Sequence, residues 1–242
     1  MRKLFCSVAL IAAFSSATIA QTDTTNIDNT AIDTAADQST KKKRQDLFFI
    51  DLNWDYMLGM PSIVTQKYWG RGVNLGLMFD QPINKNNNFS LGIGVGFQTQ
   101  NYYTDATIET YTDSTGALTS EWIVPGGIVK EKGKISLNYV DLPFELRFRT
   151  NPDKKDFRWK FAVGAKVGYL VQVHEKIINN EGIKVKYYNY PTLNKWRYGV
   201  TARVGYGSVA LSGFYSLSNL FDDRTLSGPQ NAFSLGITLV PF

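Results

Sequence analysis

The chain has 242 residues, 43% of them hydrophobic and 14% aromatic, with 20 Gly, one Cys, one His and a formal charge of +5. It is too apolar for a disordered protein, too rich in Gly, Tyr and Phe for a helical bundle, and too poor in Cys and His for a disulfide framework or a four-ligand zinc site. No stretch beyond the N-terminus supplies the roughly 18 uninterrupted apolar residues of a spanning helix, whereas a membrane strand needs only about ten, every second one apolar.

Residues 1–20 read as a secretory signal peptide: Arg2 and Lys3, an apolar run from Leu4 to Phe14, then small residues closing on Ala20, after which cleavage is expected. Cys6 lies too early in the run for a lipoprotein cleavage site. Without Arg2 and Lys3 the 26 basic residues fall to 24 against 21 acidic ones, a charge of +3, which makes no case for nucleic acid. Residues 21–45 are polar, without aromatics, and close on Lys41, Lys42, Lys43 and Arg44. Such a segment buries too little apolar surface to offset its ordering entropy, so a disordered periplasmic linker is expected. Residues 46–242 then form one domain.

From residue 47 the hydrophobic period is two. Phe48, Ile50, Leu52, Trp54, Tyr56 and Leu58 share one face of the first strand, opposite Asp51, Asn53 and Asp55. The second strand runs through Val73 to Phe79 and the third through Phe89 to Phe97, with Gly, Ser, Asn and Gln on their other faces. The fourth begins with Ile135, Leu137 and Tyr139 and changes phase to Val140, Leu142, Phe144, Leu146 and Phe148; a one-residue phase change predicts a β-bulge near Tyr139 and Val140. The fifth alternates from Trp159 to Val171, the sixth from Trp196 to Tyr206 and the eighth from Phe233 to Leu239, while the seventh, Val209 to Leu217, is less regular.

Alternation alone fits a soluble sandwich or ligand-binding barrel as well as a membrane barrel. Three features favour the membrane. Aromatics fall near the ends of the apolar faces, where interfacial girdles belong. Even-numbered connections are short and the others long, as for periplasmic turns and extracellular loops. The polar faces carry glycines, which suit a narrow lumen better than a solvated surface. The expected fold is therefore all-β: an eight-stranded antiparallel up-and-down transmembrane β-barrel in the outer membrane, both termini periplasmic.

The segment NYVDLPFELRFR, Asn138 to Arg149, resembles the Bacteroidetes outer-membrane β-barrel family of the PorT-like group, whose members show Tyr, a hydrophobic residue, an acidic residue, a hydrophobic residue and Pro, here Tyr139 to Pro143. KFAVGAKVGYLV (Lys160 to Val171), Tyr215 to Leu220 and the terminal Phe extend the similarity over residues 46–242. The resemblance implies an outer-membrane location and assembly by the barrel-insertion machinery; one branch of the family takes part in protein secretion. Phe242 departs from the pattern, because it is out of phase with Leu235, Ile237 and Leu239 and follows Pro241.

Charges on the lumen faces, Asp51, Asp55, Asp141, Glu145, Arg147, Lys166 and Arg203, are expected to pair in a salt-bridge network that fills the barrel. His174, at the loop edge of strand five, is the only His and has no flanking nucleophile motif, so neither catalysis nor a metal or cofactor is expected. The long loops hold Tyr102, Tyr103, Tyr111 and Trp122, then Tyr187, Tyr188 and Tyr190, as candidate contacts for an envelope or extracellular protein or glycan. Asp113-Ser114-Thr115-Gly116 and Asn179-Asn180-Glu181-Gly182 predict hairpins within them. The function expected is non-enzymatic, structural or surface-interacting. The alternatives are an accessory role in a secretion or transport assembly, a lipid-modifying enzyme dependent on His174, and a soluble barrel holding a small apolar ligand.

Overall fold

A computed structural model describes residues 45–86, 88–124, 130–151, 157–179, 184–188, 190–222 and 228–239. The leader, nearly all of the linker, the Asn180–Gly182 part of the second predicted turn and Phe242 lie outside these residues. Twelve strands run in order: β1 (Gln45–Leu58), β2 (Gln66–Lys67), β3 (Gly70–Pro82), β4 (Phe89–Thr104), β5 (Thr107–Thr112), β6 (Leu118–Ile123), β7 (Lys130–Arg149), β8 (Trp159–Asn179), β9 (Lys184–Tyr187), β10 (Trp196–Tyr206), β11 (Val209–Ser216) and β12 (Asn231–Leu239). Eight of them, β1, β3, β4, β7, β8, β10, β11 and β12, pair antiparallel with their neighbours, and β12 returns to β1 to close a barrel. All eight predicted strands are present.

Burial settles what periodicity left open. At the level of the band the outward residues of the barrel strands are apolar and exposed, among them Leu52, Trp54, Leu77, Phe79, Ile93, Phe144, Val163 and Leu235, whereas the inward ones are mostly charged, amide- or hydroxyl-bearing or glycine, with Phe49, Met78 and Phe214 among them. A soluble protein does not expose an apolar surface encircling the molecule. Phe48 to Leu58 spans about 33 Å along β1 at roughly 3.3 Å per residue, and about 25 Å across a bilayer at a 40° tilt, which matches the apolar band of a membrane barrel.

Two aromatic girdles edge this band. At the end with the short turns, Phe89 and Phe148 lie 4.9 Å apart, Phe148 and Phe161 6.2 Å, Trp159 and Phe161 6.3 Å, and Trp159 and Tyr206 5.4 Å, a chain of rings across β4, β7, β8 and β10. Towards the long loops, Tyr169 and Trp196 meet edge to face at 4.9 Å.

The predicted bulge is corrected. In β7 the inward residues keep one parity throughout, from Ile135, Leu137 and Tyr139 to Asp141, Glu145 and Arg147, so the chain changes sequence phase without a break in the backbone. The irregularity lies opposite, in β8: Asn138 pairs with Gln172 and Tyr139 with Leu170, leaving Val171 as the extra residue. Apolar residues in β8 keep a single sequence phase through Val173, and the bulge turns Val173 from the lipid side to the interior.

The long loops fold as well. β5 and β6 form a separate two-stranded hairpin, closed by a turn in which Asp113 Oδ1 accepts bonds from Thr115 N (2.8 Å) and Ala117 N (3.0 Å), with Gly116 at φ 84°. β9 pairs with the end of β8, and β2 with the end of β4.

Candidate functional site

The interior has two storeys. At the level of the apolar band it is an ionic ladder. Arg149 Nη2 and Arg147 Nη1 donate to Asp80 at 2.7 and 3.1 Å; Arg147 also donates through Nε and Nη2 to Glu145 Oε2, both at 3.0 Å. Arg203 bridges Glu145 to Asp51 Oδ2, the latter at 3.0 Å, and Asn74 donates to the same Asp51 oxygen at 2.8 Å. Higher up, Asp141 accepts from Arg197 Nη2 at 2.8 Å and lies 3.4 Å from Lys166 Nζ. Gln98 accepts from Lys166 and Arg197, and Gln100 from Arg197. Asp55 is held by Asn101 N at 3.0 Å and Ser234 Oγ at 2.7 Å.

All seven charges expected in the lumen are therefore buried there. Asp80, Arg149 and Arg197 belong with them and were not singled out from sequence, although Arg149 and Arg197 sit on the polar faces of their strands and Asp80 shares the parity of Gly72 and Asn74. Among the described residues the band-level interior thus holds five buried carboxylates and five buried cations. Balance at that depth matters because each uncompensated charge would cost several kcal/mol.

Glycines make room for the ladder. A Cβ on Gly92 would stand 2.9 Å from Arg147 Cζ, and one on Gly168 would stand 2.8 Å from Arg197 Nε. A cavity of about 20 Å³ lies in the ladder beside Asp51, Asn74, Thr201 and Arg203, which suits roughly one ordered water.

Above the ladder the interior becomes apolar. Met57, Tyr102, Ile108, Trp122, Ile135, Leu137, Tyr139, Tyr190, Leu193 and Phe221 pack into one cluster that caps the barrel. The guanidinium of Arg197 lies 3.6 Å from the Tyr139 ring centroid and joins the two storeys. The β5–β6 hairpin is fastened across the mouth. Trp122 Nε1 donates to Gln230 at 2.9 Å and its ring meets Phe221 edge to face at 6.0 Å; the Ser120 and Thr192 hydroxyls bond at 2.6 Å. Buried Glu175 accepts from Tyr190 Oη at 2.6 Å and Thr107 Oγ1 at 2.7 Å. Burial and this carboxylate hold the Tyr190 phenol far above the usual tyrosine range.

These contacts redistribute the loop aromatics. Tyr102, Trp122 and Tyr190 are core residues of the cap, not outer contacts; Tyr103 and Tyr111 are half-buried; Tyr187 and Tyr188 are exposed at 52% and 55%. The hidden signal was parity, since Tyr102 continues the inward series of Gln98 and Gln100. His174 lies against Tyr188, ring centroids 6.1 Å apart, and stands opposite Ser136 in the β7–β8 ladder, where the Ser136 hydroxyl donates to Asn101 at 2.5 Å. Glu175 faces the other side of the strand, where it accepts from Tyr190 and Thr107, so it does not join His174 and Ser136. Among the described residues no group of three or more His, Cys, Asp or Glu could hold a metal ion.

A closed eight-stranded barrel with an apolar exterior and an ionic interior defines the class of outer-membrane β-barrel proteins. The model of the outer membrane protein beta-barrel domain family matches residues 39–222, and the chain belongs to that family. No curated protein matches it. Among solved structures it is similar to a triple mutant and a double mutant of the Rh. blastica porin, each at 8% identity over 81% of this chain and 99% of that one, with a TM-score of 0.21, a likeness too slight to inform the fold.

Proposed function

We propose that this protein is a non-enzymatic, non-conducting outer-membrane barrel that acts through its outer surface, its long loops outside the cell and its N-terminal side in the periplasm. The observation that carries this reading is the doubly filled interior, an ionic ladder beneath an apolar cap. The placement of Glu175 on the opposite face of β8 from His174, and the bond of the Ser136 hydroxyl to Asn101, support a non-enzymatic role, and the segment Asn138–Arg149 supports placement in the PorT-like, Bacteroidetes branch. The exposed Tyr187 and Tyr188 are the best-placed of the loop aromatics to meet an envelope protein or glycan. The leader's removal after Ala20 and insertion by the barrel-assembly machinery complete the reading.

Planar-bilayer recording tests it. The wild-type protein is expected to show no unitary conductance; regular single-channel steps from the folded barrel would refute the reading. Photo-crosslinkers at positions 187 and 188 in intact cells are expected to capture an envelope component.

A further inference from the structure

Beyond the apolar band, on the tall wall of the barrel, lies a row of basic residues in register. Lys67 of β2 pairs with Tyr103 of β4, Tyr103 with Lys134 of β7, Lys134 with Lys176 of β8, and Lys176 with Lys186 of β9. Partners directly opposite share one face of a sheet, so the five side chains form a single outward row about 19 Å long at roughly 4.8 Å per strand. Lys134 and Lys176 are half-buried, Lys67 and Lys186 exposed, and Lys134 Nζ stands 6.0 Å from the centre of the Tyr103 ring.

Like charges directly opposite each other destabilise a sheet. Among the described residues, none of the four lysines has an ion-pair partner, although the lumen of the same barrel compensates its charges closely. A row with that local cost calls for an anion outside the chain. We propose that the row binds the phosphate groups of a phosphorylated glycolipid in the leaflet around the long-loop end.

Two observations choose this occupant. Its middle members, Tyr103, Lys134 and Lys176, continue upward from the lipid-facing band on β4, β7 and β8, so whatever meets the row stands in or on the membrane. Its height then selects the headgroup. Lys134 is six residues beyond Val140, the last apolar outward residue of β7, which places it about 20 Å further along the strand and about 15 Å further along the membrane normal at a 40° tilt. The headgroup zone of an ordinary phospholipid ends roughly 5–7 Å above the hydrocarbon, whereas a phosphorylated sugar headgroup reaches higher. Lysine suits this task as a mobile point charge on a long stem.

This assignment rests on the proposed orientation with the long loops outside, and the experiment separates the two. The full chain, folded in zwitterionic micelles, is titrated with a lipopolysaccharide that carries phosphates on its core sugars, the same lipopolysaccharide after dephosphorylation, and phosphatidylglycerol vesicles. The wild type is expected to prefer the core-phosphorylated glycolipid, with affinity falling as salt rises. A variant with Lys67→Gln, Lys134→Gln, Lys176→Gln and Lys186→Gln is expected to bind at least about tenfold more weakly, and the matching four Lys→Arg changes to retain binding. Folding is checked by the heat-modifiable gel shift; the pair Lys67→Gln and Lys186→Gln, at the row's exposed ends, gives a milder version of the same loss. Unchanged binding by the glutamine variants, or equally tight binding of phosphatidylglycerol or the dephosphorylated form, would overturn the proposal. Orientation is read independently by labelling Ser114→Cys with an impermeant maleimide in intact cells: absence of labelling sinks the orientation, while the micelle titration still reports on the row.

Discussion

Two halves of the same three strands, β4, β7 and β8, obey opposite rules. At the level of the band their outward residues are Phe97, Val140 and Tyr169 and their inward ones Gln98, Asp141 and Lys166; past it the outward ones are Asn101, Ser136 and His174 and the inward ones Tyr102, Leu137 and Val173. The lower half is apolar outside because lipid cannot satisfy a polar group; in the upper half the outward face is polar, Asn101 and Ser136 being buried but bonded to each other, and the apolar residues turn inward into the cap. The difference teaches that the surroundings, not the strand, decide which face is hydrophobic, and that a strand crossing between solvents must invert once. β7 inverts in sequence, and β8 inverts in backbone through the bulge at Val171.

Breaking the lower half should cost most. Glu145→Ala leaves Arg147 and Arg203 without their shared carboxylate, and the expected loss is about 3–5 kcal/mol for the whole barrel, read as a lower urea midpoint for the heat-modifiable form. A midpoint equal to wild type would show that the ladder is hydrated rather than dry. Deleting Val171 attacks the inversion itself. It turns Val173 and Glu175 outward, forfeiting up to the roughly 1.5–3 kcal/mol of burying a valine and detaching the latch. The expected result is proteolysis within 105–129 on a barrel that still shows its gel shift; loss of both together would mean that the halves fold as one unit.

Smaller changes sharpen the contrast. Glu175→Gln weakens the bonds to Tyr190 and Thr107, with an expected cost of about 1–2 kcal/mol confined to the cap and measured by hydrogen exchange of the β5–β6 hairpin. The mildest effect concerns Asp113, whose carboxyl is held below its ordinary range by bonds from the Thr115 hydroxyl and the Ala117 and Thr115 amides. Its contribution is therefore fully present above the ordinary aspartate range and disappears as pH falls through the lowered value. Amide exchange at Thr115 and Ala117 should rise there, and Asp113→Asn should remove that dependence.

The band-level half was legible because period-two alternation maps directly onto two faces, and every charged inward residue of Asp51, Asp55, Asp141, Glu145, Arg147, Lys166 and Arg203 could be read off by parity. The cap was not. Tyr102, Trp122 and Tyr190 lie where chain order suggests exposed loops, and their burial comes from contacts such as Trp122 with Gln230, 108 residues apart. The Tyr139–Val140 phase change was visible, yet its cause, a change of solvent across a straight strand, is indistinguishable in sequence from a bulge.

The seam between β1 and β12 governs how this barrel can be made. Every other barrel ladder joins strands consecutive around the chain, but this one pairs Ile50 with Leu239 and Leu58 with Asn231. Contacts as distant as Arg203 with Asp51, 152 residues apart, and Ser234 with Asp55, 179 apart, form only when it shuts. Until then the open sheet would present half-paired carboxylates and guanidinium groups to hydrocarbon, at a cost far above the stability of any partial structure. Non-local pairing of this kind is slow, and closure becomes all-or-none: a truncated or stalled chain cannot rest in the bilayer as a smaller sheet.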